Sequence, residues 1–143
     1  MKIMVSACLL GDNVKYNGGN NKNDELIKFL SNYEVIKVCP EVMGGLTIPR
    51  SPSEIRKKKV INKENVDVTY EYQKGAKKTL EIAKKNNIKV AILKKNSPSC
   101  GSNTIYDGTF SHTLIKGDGI TSKLLKENGI TVLDEENYQE YKW

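Results

Sequence analysis

The sequence predicts an α/β fold with three layers, in which helices cover both faces of a mostly parallel sheet. Short runs of β-branched and aliphatic residues alternate along the chain with segments of helical spacing, as in repeated strand–helix units. The strand candidates are continuously apolar, which is typical of strands that are buried on both faces. A chain of 143 residues usually forms one domain, and we expect residues 1–143 to be a single domain.

Two strands and one helix are predicted in the first part of the chain. Lys2–Ala7 and Val35–Val38 are short apolar runs, and Asp24–Tyr33 between them has apolar residues at helical spacing. The next segment, residues 39–54, is expected to be irregular because it holds three of the four prolines. A long irregular segment beside a candidate site is more often functional than incidental.

The rest of the chain predicts a small hairpin, followed by helices that alternate with strands. We expect a hairpin at Lys58–Thr69, a helix at Glu71–Lys85 and a strand at Lys89–Leu93. A second helix is expected at Ile120–Glu127, followed by a strand at Ile130–Leu133. The last helix stops before Gly129, at a position where glycine commonly caps a helix.

The most informative residues are the three cysteines, Cys8, Cys39 and Cys100. Each closes an apolar run and opens onto a loop rich in Ser, Pro or Gly. Ligands of open parallel sheets bind outside the carboxyl ends of the strands, so we expect the three thiols to converge at that edge. They are 31 and 61 residues apart, which excludes a local Cys-x-x-Cys motif. The pattern predicts a metal or iron–sulfur site with three protein ligands and one open position.

The choice of ligands favours an iron–sulfur cluster over zinc. Structural zinc usually takes a histidine or a fourth cysteine as well, and the only histidine, His112, lies outside the predicted strand ends. Thiolates without such a partner suit an iron–sulfur cluster better. The odd number of cysteines and the lack of a secretory or long apolar segment favour a reducing, cytoplasmic location away from membranes.

Charge and glycine patterns exclude some classes of function. The net charge of +6 makes nucleic acid a conceivable partner, but the positive residues are mostly lysines spread along the chain, which favours a solvated basic surface. No Gly-x-Gly-x-x-Gly segment follows a strand, and no Walker A sequence is present. An enzyme with a nucleotide cofactor is therefore not expected.

Polar residues near the cysteines are candidates for catalysis and binding. Glu41 lies two residues beyond the second cysteine and is a candidate for proton transfer, although a helix start or a surface would explain it equally well. In the segment SPSCG, Ser97 and Ser99 place hydroxyl groups beside the third cysteine, although the same segment also suits an ordinary turn. Tyr106 and Asp107 are further candidates for lining the site, but an Asp-Gly turn explains Asp107 as well.

A set of segments in a fixed order gives these residues a context. They are SACLLG, VKYNG, VCPEVMGGL, PRSPSE, DVT, GA, SPSCG and IYDGTFS. In this combination the chain resembles the thiouracil desulfidase (TudS-like) family over nearly its whole length. The resemblance implies a Rossmann-like α/β fold with an oxygen-sensitive 4Fe–4S cluster on three cysteines, which match Cys8, Cys39 and Cys100. It also implies that the family's acid–base and serine positions match Glu41 and Ser97.

The resemblance implies a hydrolytic reaction that needs no electrons and belongs to sulfur metabolism. An iron without a protein ligand polarises the C–S bond of a thiouracil, water activated by Glu41 adds to the carbon, and sulfide leaves. Ser97 is expected to orient the ring or to transfer a proton. Lys15 stands where many members carry arginine, and His112 where glycine is usual; both differences bear on substrate preference. Lys15, Ser99, Tyr106 and Asp107 are the expected contacts with the substrate.

Two alternatives stay open. One is a desulfidase that acts on thiolated tRNA, which the basic charge favours weakly and which ranks below a free thiolated pyrimidine because the short chain has no recognisable RNA-binding domain. The other is a zinc-binding or redox-sensing thiol protein without catalytic activity.

Overall fold

The computed structural model describes residues 1–143, which form eight strands and four α-helices. In chain order these are β1 (Lys2–Ser6), α1 (Asp24–Phe29), β2 (Glu34–Val38), α2 (Pro40–Met43), β3 (Ser53–Arg56), β4 (Lys59–Asn62), α3 (Thr69–Lys85), β5 (Val90–Leu93), β6 (Thr104–Tyr106), β7 (Leu114–Lys116), α4 (Ile120–Glu127) and β8 (Thr131–Asp134). Single 3₁₀ turns lie at Ala7–Leu10, Leu30–Asn32 and Tyr138–Glu140.

Four parallel strands form the central sheet, in the order β2–β1–β5–β8. The two middle strands, β1 and β5, are buried along nearly their whole length, as their continuous apolar sequences predict. All four strands lie within one residue of the bounds expected from the sequence. The predicted α/β fold with a mostly parallel sheet is therefore confirmed.

Apolar side chains on the two faces of the sheet pack against different helices. On one face, β1 and β5 pack against α3 and α4, and this cluster includes Met4, Ala83, Ala91, Leu93 and Leu125. On the other face they pack against α1 and the last 3₁₀ turn, and this cluster includes Ile3, Val5, Leu26, Ile92 and Tyr138. Neighbouring residues of a strand point to opposite faces, so each strand contributes to both clusters. Three layers result.

Aromatic rings cover α1 near the last residues of the chain. The ring centroid of Phe29 lies 5.1 Å from that of Tyr138 and 5.1 Å from that of Trp143. The indole Nε1 of Trp143 donates a hydrogen bond to the Tyr138 carbonyl oxygen at 2.8 Å. These contacts hold the end of the chain against the sheet face that is remote from α3 and α4.

The segment of residues 39–69 is more regular than the sequence predicts. Residues 40–43 form the short helix α2, which begins with Pro40 at a position where proline is favoured. The hairpin predicted at Lys58–Thr69 is present in a short form, because Ile61 forms an antiparallel bridge with Asp67. Its first strand, β4, also pairs on its other side with β3, through a turn at Lys57 and Lys58 that was not predicted. Both lysines have a positive φ, so this turn has the backbone usually signalled by Asn or Gly. A turn made of two lysines therefore carries no signal that sequence patterns would reveal.

A second hairpin, β6–β7, was not expected. Its strands have only three residues each, and those of β7 are all exposed. Such short strands carry too little apolar periodicity to be recognised. The loop between them lies close to β3, because the backbone N–H of Gly108 donates to the Glu54 carboxylate.

Helix α3 is the longest helix and crosses α2 at very close range. At Gly44 and Gly75 a β-carbon would overlap with backbone carbonyl groups of the other helix, those of Glu71 and Pro40 respectively. The two glycines thus permit a contact that fixes α2, and with it the start of the irregular segment, against α3. Although α3 has 17 residues, no helix in the structure is both long and apolar enough to cross a membrane.

Candidate active site

A cavity of about 590 Å³ lies at the carboxyl edge of the central sheet. Its floor comes from the residues that follow β1, β2 and β5, and its wall comes from the irregular segment and the β6–β7 loop. Cys8, Cys39 and Cys100 all line it, so the structure brings together thiols that are far apart in the sequence. This edge of the sheet is where open α/β folds bind their ligands.

Each cysteine is held by a different local structure. Cys8 lies in the 3₁₀ turn after β1, and Cys39 immediately precedes α2. Cys100 lies in a turn closed by Ser97, whose Oγ accepts hydrogen bonds from the backbone N–H groups of Ser99 and Cys100, both at 3.0 Å. The turn is further fixed by Ser122, whose hydroxyl donates to the Cys100 carbonyl at 2.6 Å.

The electrostatics of the cavity favour neutral thiols in the absence of a bound cation. Burial raises the pKa of Cys8, Cys39 and Cys100, most strongly for the fully enclosed Cys100. Hydrogen bonding acts in the opposite direction, and for Cys100 the donor is the Ser6 hydroxyl at 3.6 Å. Repulsion by neighbouring negative groups raises the pKa values further: another thiolate acts on Cys8, the Glu41 carboxylate acts on Cys39, and both kinds of group act on Cys100. A positively charged group between them would offset both effects and keep the sulfurs ionised.

All three cysteines are free thiols. No group of three or more His, Cys, Asp or Glu side chains is arranged to hold a metal ion. A 4Fe–4S cluster makes a different demand, because each thiolate binds its own iron and the sulfurs surround the cluster instead of meeting at one point. Three free thiols that line one cavity are compatible with that arrangement.

Glu41 lines the cavity and is fixed through one carboxylate oxygen. Its Oε1 accepts hydrogen bonds from Arg50 Nε at 3.2 Å and from the Tyr72 hydroxyl at 2.7 Å. Arg50 is only 7% exposed and also donates to the carbonyl groups of Val14 and Thr47. Both hydrogen bonds to the carboxylate use Oε1, so Oε2 is free to interact with a molecule in the cavity.

Arg50 and Tyr72 were missed by reasoning from sequence. Tyr72 falls on the apolar face of α3 and is also a core residue, since it is 2% exposed. Burial, followed by the neighbouring Glu41 carboxylate, raises the pKa of Tyr72 well above its ordinary value, so the phenol keeps its proton for the hydrogen bond. The signal for Arg50 was its rarity, because the chain has only two arginines.

The other predicted site residues divide into two groups. Ser97, Lys15 and Tyr106 line the cavity. Ser99 does not, because its side chain is fully buried and its hydroxyl is hydrogen-bonded to that of Thr121 at 2.8 Å. Asp107 is also absent from the cavity wall, because its carboxylate accepts hydrogen bonds from the backbone N–H and hydroxyl of Thr109. Ser99 thus connects the Cys100 turn to α4, and Asp107 stabilises the turn that follows β6.

Comparisons with known proteins agree with this arrangement. Residues 3–137 match the family model described as 2-thiouracil desulfurase. A solved structure of the [4Fe-4S]-dependent thiouracil desulfidase TudS is 40% identical, with a TM-score of 0.91 over 97% of this chain and 93% of that one. The uncharacterized protein YbbK of Bacillus subtilis (strain 168) is 41% identical over 93% of this chain and 95% of its own. The chain therefore belongs to the 2-thiouracil desulfurase family.

Proposed function

We propose that this protein is a 4Fe–4S-dependent desulfidase that hydrolyses the C–S bond of a free thiouracil to give uracil and sulfide. The observation that carries the proposal is the presence of three free thiols and an anchored carboxylate on the wall of one cavity. The family assignment and the TudS relative, described as [4Fe-4S]-dependent, support it.

The residues present fit a cluster with three protein ligands. Cys8, Cys39 and Cys100 are the proposed ligands, one from the loop after each of three neighbouring strands. The only histidine, His112, lies on the β6–β7 loop and is not needed as a ligand. When bound, the cluster supplies a Lewis-acidic iron with an open position for the sulfur of the substrate.

Glu41 is the proposed general base. Arg50 and Tyr72 hold its Oε1, which fixes the carboxylate without using Oε2. Oε2 is then placed to take a proton from a water molecule that adds to the ring carbon bearing sulfur. A positioned base of this kind typically accelerates a reaction by about 10²–10⁴-fold.

Ser97 is the proposed proton donor or ring-orienting group. Its Oγ already accepts two backbone N–H bonds, so its own proton is available to a group in the cavity. A polar atom of the pyrimidine ring is the expected acceptor. Ser97 would thus both close the turn that holds Cys100 and help to position the substrate.

The size of the cavity favours a free base over a thiolated tRNA. A volume of about 590 Å³ is within the usual range for small-molecule sites. The wall residues Lys15 and Tyr106 are the proposed polar contacts with such a base. We further propose that residues 1–143 act as one domain, because segments from β1 to the β6–β7 hairpin line this one cavity.

The experiment is anaerobic reconstitution with iron and sulfide, followed by incubation with 2-thiouracil, 4-thiouracil and thiolated tRNA. We expect about four irons per chain, release of sulfide, and uracil as the product from at least one free base. Turnover of thiolated tRNA alone would overturn the substrate assignment. A colourless protein that holds zinc and no iron would overturn the cluster.

Replacement of the proposed ligands tests the cluster directly. We expect Cys8→Ala, Cys39→Ala and Cys100→Ala each to lose most of the bound iron and all measurable desulfuration, since each thiolate holds one iron. Iron content and visible absorption are the measurements. Ser31→Ala is the control, because Ser31 is exposed and lies outside the cavity, and it should keep its iron. A cysteine variant with full iron would remove that residue from the ligand set.

A further inference from the structure

Three rings line the outer wall of the cavity, those of Tyr106, Phe110 and His112. They belong to β6 and to the loop that joins it to β7. Tyr106 and His112 contact each other edge to face, with ring centroids 6.2 Å apart and planes at 81°. We call these three residues the aromatic wall.

The backbone of this loop is in an unusual conformation. Phe110 has a φ of 57° and His112 a φ of 59°, both in the left-handed region that bulky side chains rarely occupy. Residues in such conformations persist only where their surroundings impose them, and they concentrate at functional sites. We therefore ask which contacts impose this conformation and what function it serves.

The cause is a clamp formed by β3. The carboxylate of Glu54, which is only 8% exposed, accepts hydrogen bonds from the backbone N–H groups of Gly108 at 3.0 Å and Phe110 at 3.1 Å. Arg56 donates two guanidinium N–H bonds to the Gly108 carbonyl, at 3.0 and 2.8 Å. A β-carbon at Gly108 would press on the Ile55 carbonyl oxygen, so the loop lies directly on the strand.

This clamp does more than an exposed turn requires. The backbone N–H groups of a surface loop can form hydrogen bonds with water. Burying a carboxylate to accept these hydrogen bonds instead costs free energy, because the carboxylate loses its hydration. Glu54 nevertheless faces the loop and holds it where Phe110 meets the cavity. The clamp thus fixes the backbone of the residue that carries the Phe110 ring, in addition to closing the loop.

We propose that Phe110 and His112 bind the face of the substrate's pyrimidine ring, and that Glu54 is the positioning residue that holds them there. This inference rests on the proposed function and deepens it, because it makes the planar ring a recognised part of the substrate along with the sulfur. A thiocarbonyl compound without an aromatic ring lacks the surface that this wall contacts. The aromatic wall thus selects heterocyclic bases.

Uracil is the probe that tests ring recognition separately from the reaction, because it keeps the ring and lacks the sulfur. We measure its Kd for the cluster-loaded protein by calorimetry. We expect Phe110→Ala to raise the Kd by about tenfold, as for the loss of a stacked aromatic ring, and Phe110→Tyr to restore it. Tyr70→Ala is the matched control, since Tyr70 is an exposed aromatic residue outside the cavity.

Glu54 is tested by a conservative rescue. Glu54→Ala should weaken uracil binding as Phe110→Ala does, whereas Glu54→Gln should restore it because its amide oxygen still accepts the two N–H bonds. In thiouracil turnover we expect Phe110→Ala and Glu54→Ala mainly to raise KM, with a smaller effect on kcat. An unchanged uracil Kd in Phe110→Ala overturns this inference, even if the wild type turns over thiouracil. A wild type that binds uracil through Phe110 but releases no sulfide overturns the proposed function instead.

Discussion

The Glu41 carboxylate shows how a few neighbouring side chains hold one group in place at the cavity wall. A carboxylate that is 19% exposed at a cavity wall would ordinarily sample several rotamers, but two donors fix this one through Oε1. Arg50 is itself fixed by the carbonyl groups of Val14 and Thr47. The position of the Glu41 carboxylate therefore depends on three separate segments of the chain.

Replacing Glu41 by Gln removes the proposed base and retains the size and polarity of the side chain. We expect the cluster spectrum to persist and kcat to fall by about 10²–10⁴-fold. Glu64→Gln is the control, because Glu64 is an exposed acidic residue outside the cavity. Wild-type turnover in Glu41→Gln with a full complement of iron would reduce Glu41 to a structural residue.

Ser6 connects the core of the sheet to the proposed cluster site. Its hydroxyl accepts a hydrogen bond from the Lys94 backbone N–H at 2.9 Å and donates to Cys100 Sγ at 3.6 Å. Ser6→Ala leaves the Lys94 N–H without its acceptor in a largely buried place. We expect the metal-free variant to lose about 1–3 kcal/mol of unfolding free energy, measured by urea denaturation.

The control for Ser6→Ala is Ser31→Ala, because Ser31 is exposed and its hydroxyl has no hydrogen-bond partner in the protein. That variant should stay within about 0.5 kcal/mol of the wild type. Equal stability of the two serine variants would show that water replaces the Ser6 hydroxyl at no cost.

The site residues differ in how far the sequence could reveal them. The cysteines could be predicted to meet because each follows a recognisable strand. Arg50 could not be placed, since the Glu41 carboxylate and the distant Val14 carbonyl approach it only in the folded chain. Ser99 was expected at the site because it neighbours Cys100, but in this turn its side chain points to the buried Thr121.

At the scale of elements, the contact between α2 and α3 determines where Cys39 and Glu41 lie. Gly44 and Gly75 allow the two backbones to approach more closely than any other residue would permit. Helix α2 has only four residues and would not be stable alone. Its orientation is therefore imposed by α3.

Gly75→Ala tests this dependence. Alanine favours a helix interior over glycine by about 1 kcal/mol, so propensity alone would stabilise the protein. We expect destabilisation by about 1–3 kcal/mol instead, because the new methyl group overlaps with the Pro40 carbonyl. The displacement of α2 should also lower the iron content after reconstitution.

Chemical denaturation and iron analysis are the measurements for Gly75→Ala. Gln73→Ala on the exposed face of α3 is the control and should alter neither quantity appreciably. A stabilised Gly75→Ala variant with normal iron would mean that the two helices can separate without affecting the site.

Helices and strands could be predicted where the pattern of apolar residues extends over several residues. The four strands of the central sheet and helices α3 and α4 follow from apolar patterning. Helix α2 was not predicted because a single turn is too short to show a helical period. Strand β3 was not predicted as a partner of β4 because the turn that joins them consists of two lysines with positive φ. In both cases tertiary contacts override the local preference of the sequence.

For the whole molecule, the proposed ligands connect distant parts of the chain. They lie 31 and 61 residues apart, on loops after three different strands. A bound cluster would therefore close two large loops and restrict the unfolded chain in the manner of a cross-link. Loading and folding are then thermodynamically coupled.

We expect the cluster-loaded protein to be more stable than the metal-free protein by about 3–5 kcal/mol, or roughly 10 °C in Tm. Anaerobic thermal denaturation of both forms is the measurement. The Cys100→Ala variant, treated identically with iron and sulfide, is the control and should show no increase. Coincident melting of the loaded and metal-free wild type would contradict the coupling.

The aromatic packing over α1 has a practical consequence for such measurements. Trp143 is the only tryptophan and sits on the face of the sheet opposite α3 and α4, outside the cavity. Its fluorescence therefore monitors the opening of that face, while the visible absorption of a cluster would monitor the other end of the sheet. Simultaneous loss of both signals would indicate cooperative unfolding, whereas early loss of absorption would reveal a site that opens before the body of the protein does.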